Sequence, residues 1–201
     1  MISLNNIGKS YQGKWIFKSI NFEFTFPGVY AITGKNGAGK SSLLKIISGL
    51  GLQNEGEIIY NEVAIDSLSQ HISVAAPYLE LIQDFTVKET FDFHFKFKSI
   101  ANIGSTKDIL NEIGLTEHSN KYYKNLSSGM KQKIKLALAF YSNAKILLLD
   151  EPCTNLDAET ILWYQSKINN LKSKRLIIIC SNDKPEELLG VQSNLNIHDF
   201  K

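Results

Sequence analysis

Eight consecutive residues, Gly34-Lys35-Asn36-Gly37-Ala38-Gly39-Lys40-Ser41, carry the strongest chemical signal in the chain. Glycines at this spacing let successive backbone N–H groups turn inward around an anion, and a helix that follows adds its positive end. Gly34, Asn36, Gly37, Ala38 and Gly39 would form such a phosphate cradle. Lys40 would reach the β- and γ-phosphates as a point charge, and Ser41 would offer an oxygen to Mg²⁺. Ser42 would add a further phosphate hydrogen bond. The spacing matches the P-loop pattern in full.

A second element ends in two carboxylates: Ile146-Leu147-Leu148-Leu149-Asp150-Glu151. Its apolar run reads as a buried strand, and side-chain alternation lets Asp150 aim at a metal ion from the strand's carboxyl end. Asp150 would bind Mg²⁺ through its water shell, and Glu151 would polarise the water that attacks the γ-phosphate. A third element, Leu126-Ser127-Ser128-Gly129-Met130-Lys131-Gln132, lies just upstream. Ser127 is placed to cap a helix whose first N–H groups are free to meet an anion.

These residues need a scaffold. Val29–Thr33 reads as a fully buried strand leading into the glycine-rich turn, and Ser41–Leu50 as the helix leaving it. Upstream, Ile20–Phe26 alternates like a half-buried antiparallel strand before Pro27-Gly28. Glu57–Tyr60 and Ile72–Ala75 read as short strands. From about Thr86 to Leu126 the spacing turns helical, as at Ile109, Leu110 and Ile113. Phe91, Phe93, Phe95 and Phe97 alternate in a strand-like way, but the flanking Lys88-Glu89 and Lys96–Ile100 favour a helix. Ser127–Asn143 reads as one amphipathic helix with Met130, Ile134, Leu138 and Tyr141 near one face. Lys145–Asp150 and Lys174–Ser181 read as buried strands, Glu159–Leu171 as a helix and Asn194–His198 as a last short strand. Buried strands alternating with helices imply a parallel sheet covered on both faces.

Composition narrows the setting. Twenty-two basic and twenty acidic residues leave a net charge of +2, too balanced for a nucleic-acid surface, and no nucleic acid is expected. No apolar run approaches the ~20 residues of a membrane span, and Met1-Ile2-Ser3-Leu4 has no basic leader. Cys153 and Cys180 lack metal-ligand spacing and suit a reducing compartment. His71, His94, His118 and His198 have no ligand partners at useful spacing. The expectation is a soluble cytoplasmic protein.

Together the three elements, in this order, resemble the ATP-binding-cassette (ABC) ATPases over nearly the whole chain. Leu126–Gln132 is similar to that family's signature, and Asp150-Glu151-Pro152-Cys153-Thr154-Asn155-Leu156-Asp157 to its magnesium and dimer-contact segment. The resemblance implies an α/β fold: a P-loop NTPase core with a mostly parallel central sheet, an N-terminal antiparallel β subdomain and an inserted α-helical subdomain. Residues 1–201 would form one domain, with the helical subdomain at approximately 77–126. It implies ATP and Mg²⁺ as cofactors, and a head-to-tail homodimer or a heterodimer with another ATPase subunit. In that dimer Ser127 and Gly129 of one subunit close over the other's nucleotide. Tyr11 falls where the family stacks an aromatic ring on adenine.

Four positions depart from the family's pattern: Ser128 and Met130 replace the second glycine-like and glutamine positions of the commonest signature, and Pro77 and Asn182 stand at two expected functional positions. The lid glutamine falls at Pro77, which has no side-chain polar group, with Glu80 and Gln83 the nearest substitutes. The switch histidine falls at Asn182, whose amide can hydrogen-bond a γ-phosphate but cannot carry a proton. Slow but real hydrolysis is expected, with Glu151, Lys40 and Asn182 as its catalytic group.

The leading functional expectation is therefore the ATP-binding subunit of an ABC transporter, peripheral at the inner face of the membrane and driving a separate transmembrane permease. The helical insertion, including Phe91–Phe97 and Pro77–Leu81, is where the family docks that permease; the phenylalanines also suit the insertion's own core. The alternative is a soluble ABC ATPase acting as a mechanical clamp in an assembly process. A P-loop kinase or GTPase has no use for Leu126–Gln132.

Overall fold

The computed structural model describes residues 1–61, 67–101 and 104–201. Its strands are β1 (Ile2–Tyr11), β2 (Lys14–Phe24), β3 (Gly28–Thr33), β4 (Glu55–Tyr60), β5 (Ile72–Ala75), β6 (Ile146–Asp150), β7 (Leu176–Ser181) and β8 (Ser193–Asn196). Its helices are α1 (Lys40–Ile47), α2 (Leu68–His71), α3 (Val87–Phe97), α4 (Thr106–Glu112), α5 (Ser128–Tyr141) and α6 (Ala158–Leu171). Five strands form a parallel sheet in the order β5-β6-β7-β3-β8. Three form a separate antiparallel sheet in the order β2-β1-β4.

Every residue of β3, β6 and β7 is buried, which is why these segments show no polar alternation. Alternate side chains feed two apolar layers. Leu147, Leu149, Ile177 and Ile179 face one layer with residues of α3, α5 and α6. Leu148, Ile178 and Cys180 face the other, with α1 and with Ile2, Phe17 and Phe24 of the antiparallel sheet. Helices do cover both faces of the parallel sheet, but on one of them the antiparallel sheet shares the work. Each fully buried Leu or Ile contributes about 1.5–3 kcal/mol relative to exposure.

Several expected boundaries move. The half-buried strand expected at 20–26 is the end of the longer β2, and α1 starts at Lys40 and stops at Ile47 instead of running to Leu50. α5 spans Ser128–Tyr141 with Ser127 as its cap, and β7 begins at Leu176. The last strand is β8, and Ile197–Phe200 closes as a 3₁₀ turn instead of extending it.

Between β5 and α5 the described elements are helical. The phenylalanine-rich segment is α3, started by a reciprocal cap in which Thr86 accepts from the Glu89 N–H and Glu89 accepts from the Thr86 N–H. Phe91 and Phe95 pack inward, whereas Phe93 and Phe97 are 43% and 64% exposed. Positions 102 and 103, inside the span expected to be helical, lie outside the described residues. Val87, Phe91, Ile109 and Ile113 of that span share an apolar cluster with Leu147 and Leu149.

Candidate nucleotide site

The glycine-rich loop lies between β3 and α1, at the carboxyl end of the parallel sheet. Gly39 caps α1 with φ 110°, and a Cβ there would stand 2.5 Å from Ile16 Cγ2, so only glycine fits. The loop curls around its own lysine: buried Lys40 Nζ donates to Gly34 O at 2.7 Å and to Lys35 O at 3.2 Å. Asn36, Gly37, Gly39, Lys40, Ser41 and Ser42 line one cleft together with Glu151 and Ile16. His198 touches the loop's far side, its Nε2 accepting from the Lys35 N–H at 3.1 Å.

The carboxylates arrive from β6, which pairs with β7 so that Asp150 lies beside Cys180. Glu151 then takes a left-handed backbone, φ 47°, while its N–H donates to Cys180 O at 2.9 Å. This conformation costs a non-glycine residue about 1–3 kcal/mol. It breaks the strand's alternation, and Glu151 lines the phosphate-loop cleft. From the end of β7, Asn182 reaches into the same place. Its Nδ2 donates to Glu151 Oε1 at 2.9 Å and its Oδ1 accepts from Lys40 Nζ.

Asp150 is buried, and its Oδ1 has no hydrogen-bond partner among the described residues. Burial raises the carboxyl above its ordinary range, with the Ser41 hydroxyl working the other way. An orphaned carboxylate oxygen beside a serine hydroxyl is a hard-oxygen donor set that fits Mg²⁺.

The signature segment stands apart. Ser127 Oγ accepts from the Met130 N–H at 3.2 Å and opens α5. A Cβ on Gly129 would lie 2.8 Å from Asn155 O, and Gln132 Nε2 donates to Pro152 O at 2.9 Å. The start of α5 is thus fitted to the loop that follows Glu151. Ser127 and Gly129 line a different cleft, with Asn155, Leu156 and Asp157, and no phosphate-loop residue lines it. Tyr11 is 53% exposed at the tip of the β1–β2 turn, with Lys9 Nζ 4.9 Å from its ring centroid. It does not line the phosphate-loop cleft, whereas Ile16 does.

Sequence reasoning gave no role at this site to four residues: Ile16, Glu187, His198, which it set aside with the other histidines, and Tyr78, which it placed only in the Pro77–Leu81 docking segment. Glu187 is fully buried; it accepts from Ser181 Oγ at 2.6 Å and from the Cys153 N–H at 3.1 Å. It thereby ties the segment after Glu151 to the end of β7. A glutamate followed by two leucines gives no sign of this, because the tie to Cys153 spans 34 residues.

Residues 17–154 match the family model described as ABC transporter. Among curated proteins, the arabinose import ATP-binding protein AraG of Mannheimia succiniciproducens is 29% identical over 98% of this chain and 41% of its own length. The lantibiotic transport ATP-binding protein SrtF of Streptococcus pyogenes is 29% identical over 90% of this chain and 80% of its own. The chain thus spans about two fifths of the length of the first of these. A solved dimeric bacterial ABC transporter cassette superposes with a TM-score of 0.81 at 24% identity, covering 98% of this chain and 95% of that one. No helix among the described residues is long and apolar enough to cross a membrane. With the phosphate loop, the paired carboxylates and the signature helix on one cassette fold, the chain belongs to the ABC transporter family.

Proposed function

We propose that this chain is the ATP-binding subunit of a transporter, closing head to tail with a second copy or a related ATPase subunit around MgATP. Hydrolysis would reopen the pair and drive a separate membrane-spanning permease. One observation carries the reading. The phosphate-loop cleft and the anion-ready start of α5 are both built, yet they line different clefts of the same chain. A second subunit brings one to the other. The roles of the relatives, arabinose import and lantibiotic transport, support a transport setting.

In this reading Lys40 exchanges its contacts with Gly34 O, Lys35 O and Asn182 Oδ1 for phosphate oxygens. Ser41 and Asp150 would hold Mg²⁺, which would supply charge neutralisation to the β- and γ-phosphates. Glu151 orients a water and takes its proton as the water oxygen bonds to the γ-phosphorus and the β–γ bridge breaks. Asn182 holds Glu151 in place and offers its amide N–H to the γ-phosphate. Ser127 and Gly129 of the other subunit cap that phosphate. Tyr11, exposed on the β1–β2 turn, would stack on adenine, and the helical subdomain expected at approximately 77–126 would meet the permease through its exposed Phe93 and Phe97.

The test is the Glu151→Gln protein in MgATP, followed by light scattering, and the wild type purified from gently solubilised native membranes. A stable nucleotide-dependent dimer without turnover, and a stoichiometric polytopic membrane partner, are expected. Turnover at the wild-type rate would overturn the assignment of Glu151. Recovery with soluble partners alone would overturn the transport role and leave an assembly ATPase.

A further inference from the structure

β5 runs parallel beside β6 with Ala75 paired to Leu149, so the chain leaving β5 turns at Pro77-Tyr78 next to the strand end that carries Asp150. Pro77 is exposed and offers only its carbonyl, which accepts from Lys135 Nζ at 3.2 Å. Glu80 is exposed, and Gln83 Nε2 donates to Leu81 O at 3.4 Å. Neither nearby substitute is engaged at the site.

Tyr78 behaves differently. Lys45 of α1 holds its ammonium 4.1 Å from the Tyr78 ring centroid, pinning the ring against the phosphate-loop helix. The Tyr78 hydroxyl is shut off from solvent and has no hydrogen-bond partner among the described residues. Asp150 Oδ1 is in the same condition. An unsatisfied buried hydroxyl is costly, and an unsatisfied charged group costs more. One of these orphans is an anionic acceptor; the other is a neutral oxygen that can accept or donate. A guest that satisfies both carries positive charge and oriented water.

We infer that the Tyr78 hydroxyl is an outer contact to the water shell of the Mg²⁺ held by Ser41 and Asp150, supplying the side-chain oxygen that Pro77 lacks. The inference rests on the nucleotide-site reading above. Tyr78 is a positioning residue in this account: it acts through the cation's bound water and touches neither phosphate nor the attacking water. It also explains why burying two unsatisfied oxygens at a strand end is tolerated.

Tyr78→Phe tests it, because the ring and its Lys45 contact survive while one oxygen is lost. Mn²⁺ binding is titrated by electron paramagnetic resonance with a non-hydrolysable ATP analogue present, alongside analogue affinity in EDTA and metal-free thermal unfolding. Loss of an outer-shell partner should weaken Mn²⁺ affinity about tenfold. Affinity for the analogue in EDTA should not change, and the metal-free Tm should hold or rise, since no protein hydrogen bond is removed. Unchanged Mn²⁺ affinity would overturn the inference. So would a lower metal-free Tm, which would mean that the hydroxyl serves the fold. Failure of the wild type to bind Mn²⁺ with the analogue would overturn the nucleotide-site reading itself.

Discussion

Asn182 donates its amide N–H to Glu151 Oε1 at 2.9 Å while its amide oxygen accepts from Lys40 Nζ. One uncharged side chain therefore joins the cation of the candidate site to its carboxylate. A histidine there could change protonation state; an amide cannot, and its two ends are fixed by the charges they face. In the proposed function its work would be orientation of Glu151 and a single donor to developing phosphate charge.

Asn182→Ala removes both contacts without adding a charge. Steady-state turnover should fall about 10²-fold, the usual loss for a donor aimed at transition-state charge. Nucleotide affinity should change little, because Lys40 keeps its carbonyl contacts with Gly34 and Lys35. Equal losses in binding and turnover would mean that Asn182 serves the ground state.

Asp150 and Glu187, both raised by burial, should make metal-free stability depend on pH. Burial raises the folded pKa of Asp150 above the ordinary 3.8, and burial raises Glu187 above 4.5 in the same sense. In the interval above those ordinary values the folded protein binds more protons than the unfolded chain. The contribution of such a carboxyl is therefore best at the acid end and is lost as pH rises through the folded pKa. Asp150→Asn should flatten that part of the profile and raise the metal-free Tm at pH 7 by a few degrees. It should also abolish Mg²⁺ stabilisation. Thermal unfolding from pH 4 to 8, variant against wild type, isolates the Asp150 share; a lower Tm at pH 7 would count against it.

Gly129 tests the signature helix separately from the phosphate loop. A methyl group there meets a backbone oxygen, Asn155 O, at 2.8 Å, and neither side can turn away. Gly129→Ala should cost about 1–3 kcal/mol of stability through overpacking. It should lower nucleotide-driven dimerisation and turnover together while leaving monomer nucleotide affinity near wild type. Calorimetry and light scattering on one preparation separate these effects.

What the sequence made legible follows from where the determining interactions lie. The phosphate loop and β6 were readable because each is specified by contiguous residues: glycines that permit one backbone path, or an unbroken apolar run ending in two acids. β1 was not, since Asn6 at φ 52° and the register shifts between Leu4 and Ile7 and between Asn5 and Gly8 break the two-residue period. β2 extends upstream of its readable end, with Ser19 at φ 55° interrupting the alternation. Within the candidate site, Lys40, Ser41, Asp150, Glu151 and Asn182 were all named from motif positions. Tyr78, Glu187 and His198 were not, because each matters through a partner far away in the chain: Lys45, Cys153 and Lys35.

The four phenylalanines of α3 were ambiguous for a related reason: a two-residue spacing satisfies a strand and also fills two helical i, i+4 pairs. The helix splits them. Phe91 and Phe95 have ring centroids 6.3 Å apart on the inner side, and Phe93 and Phe97 are 5.2 Å apart on the outer side, where Phe85 joins them. Core packing thus claims the inner pair, and the outer pair is left exposed for the proposed docking. Phe91→Ala, at a fully buried position, should cost about 3–5 kcal/mol in chemical unfolding. Phe97→Ala, at a position 64% exposed, should move stability by less than about 0.5 kcal/mol. If the outer pair meets the permease, Phe97→Ala should leave the isolated subunit's turnover intact and lower its co-purification with the membrane partner. Unchanged co-purification would assign the outer pair to local packing alone and move the docking surface elsewhere on the helical segment.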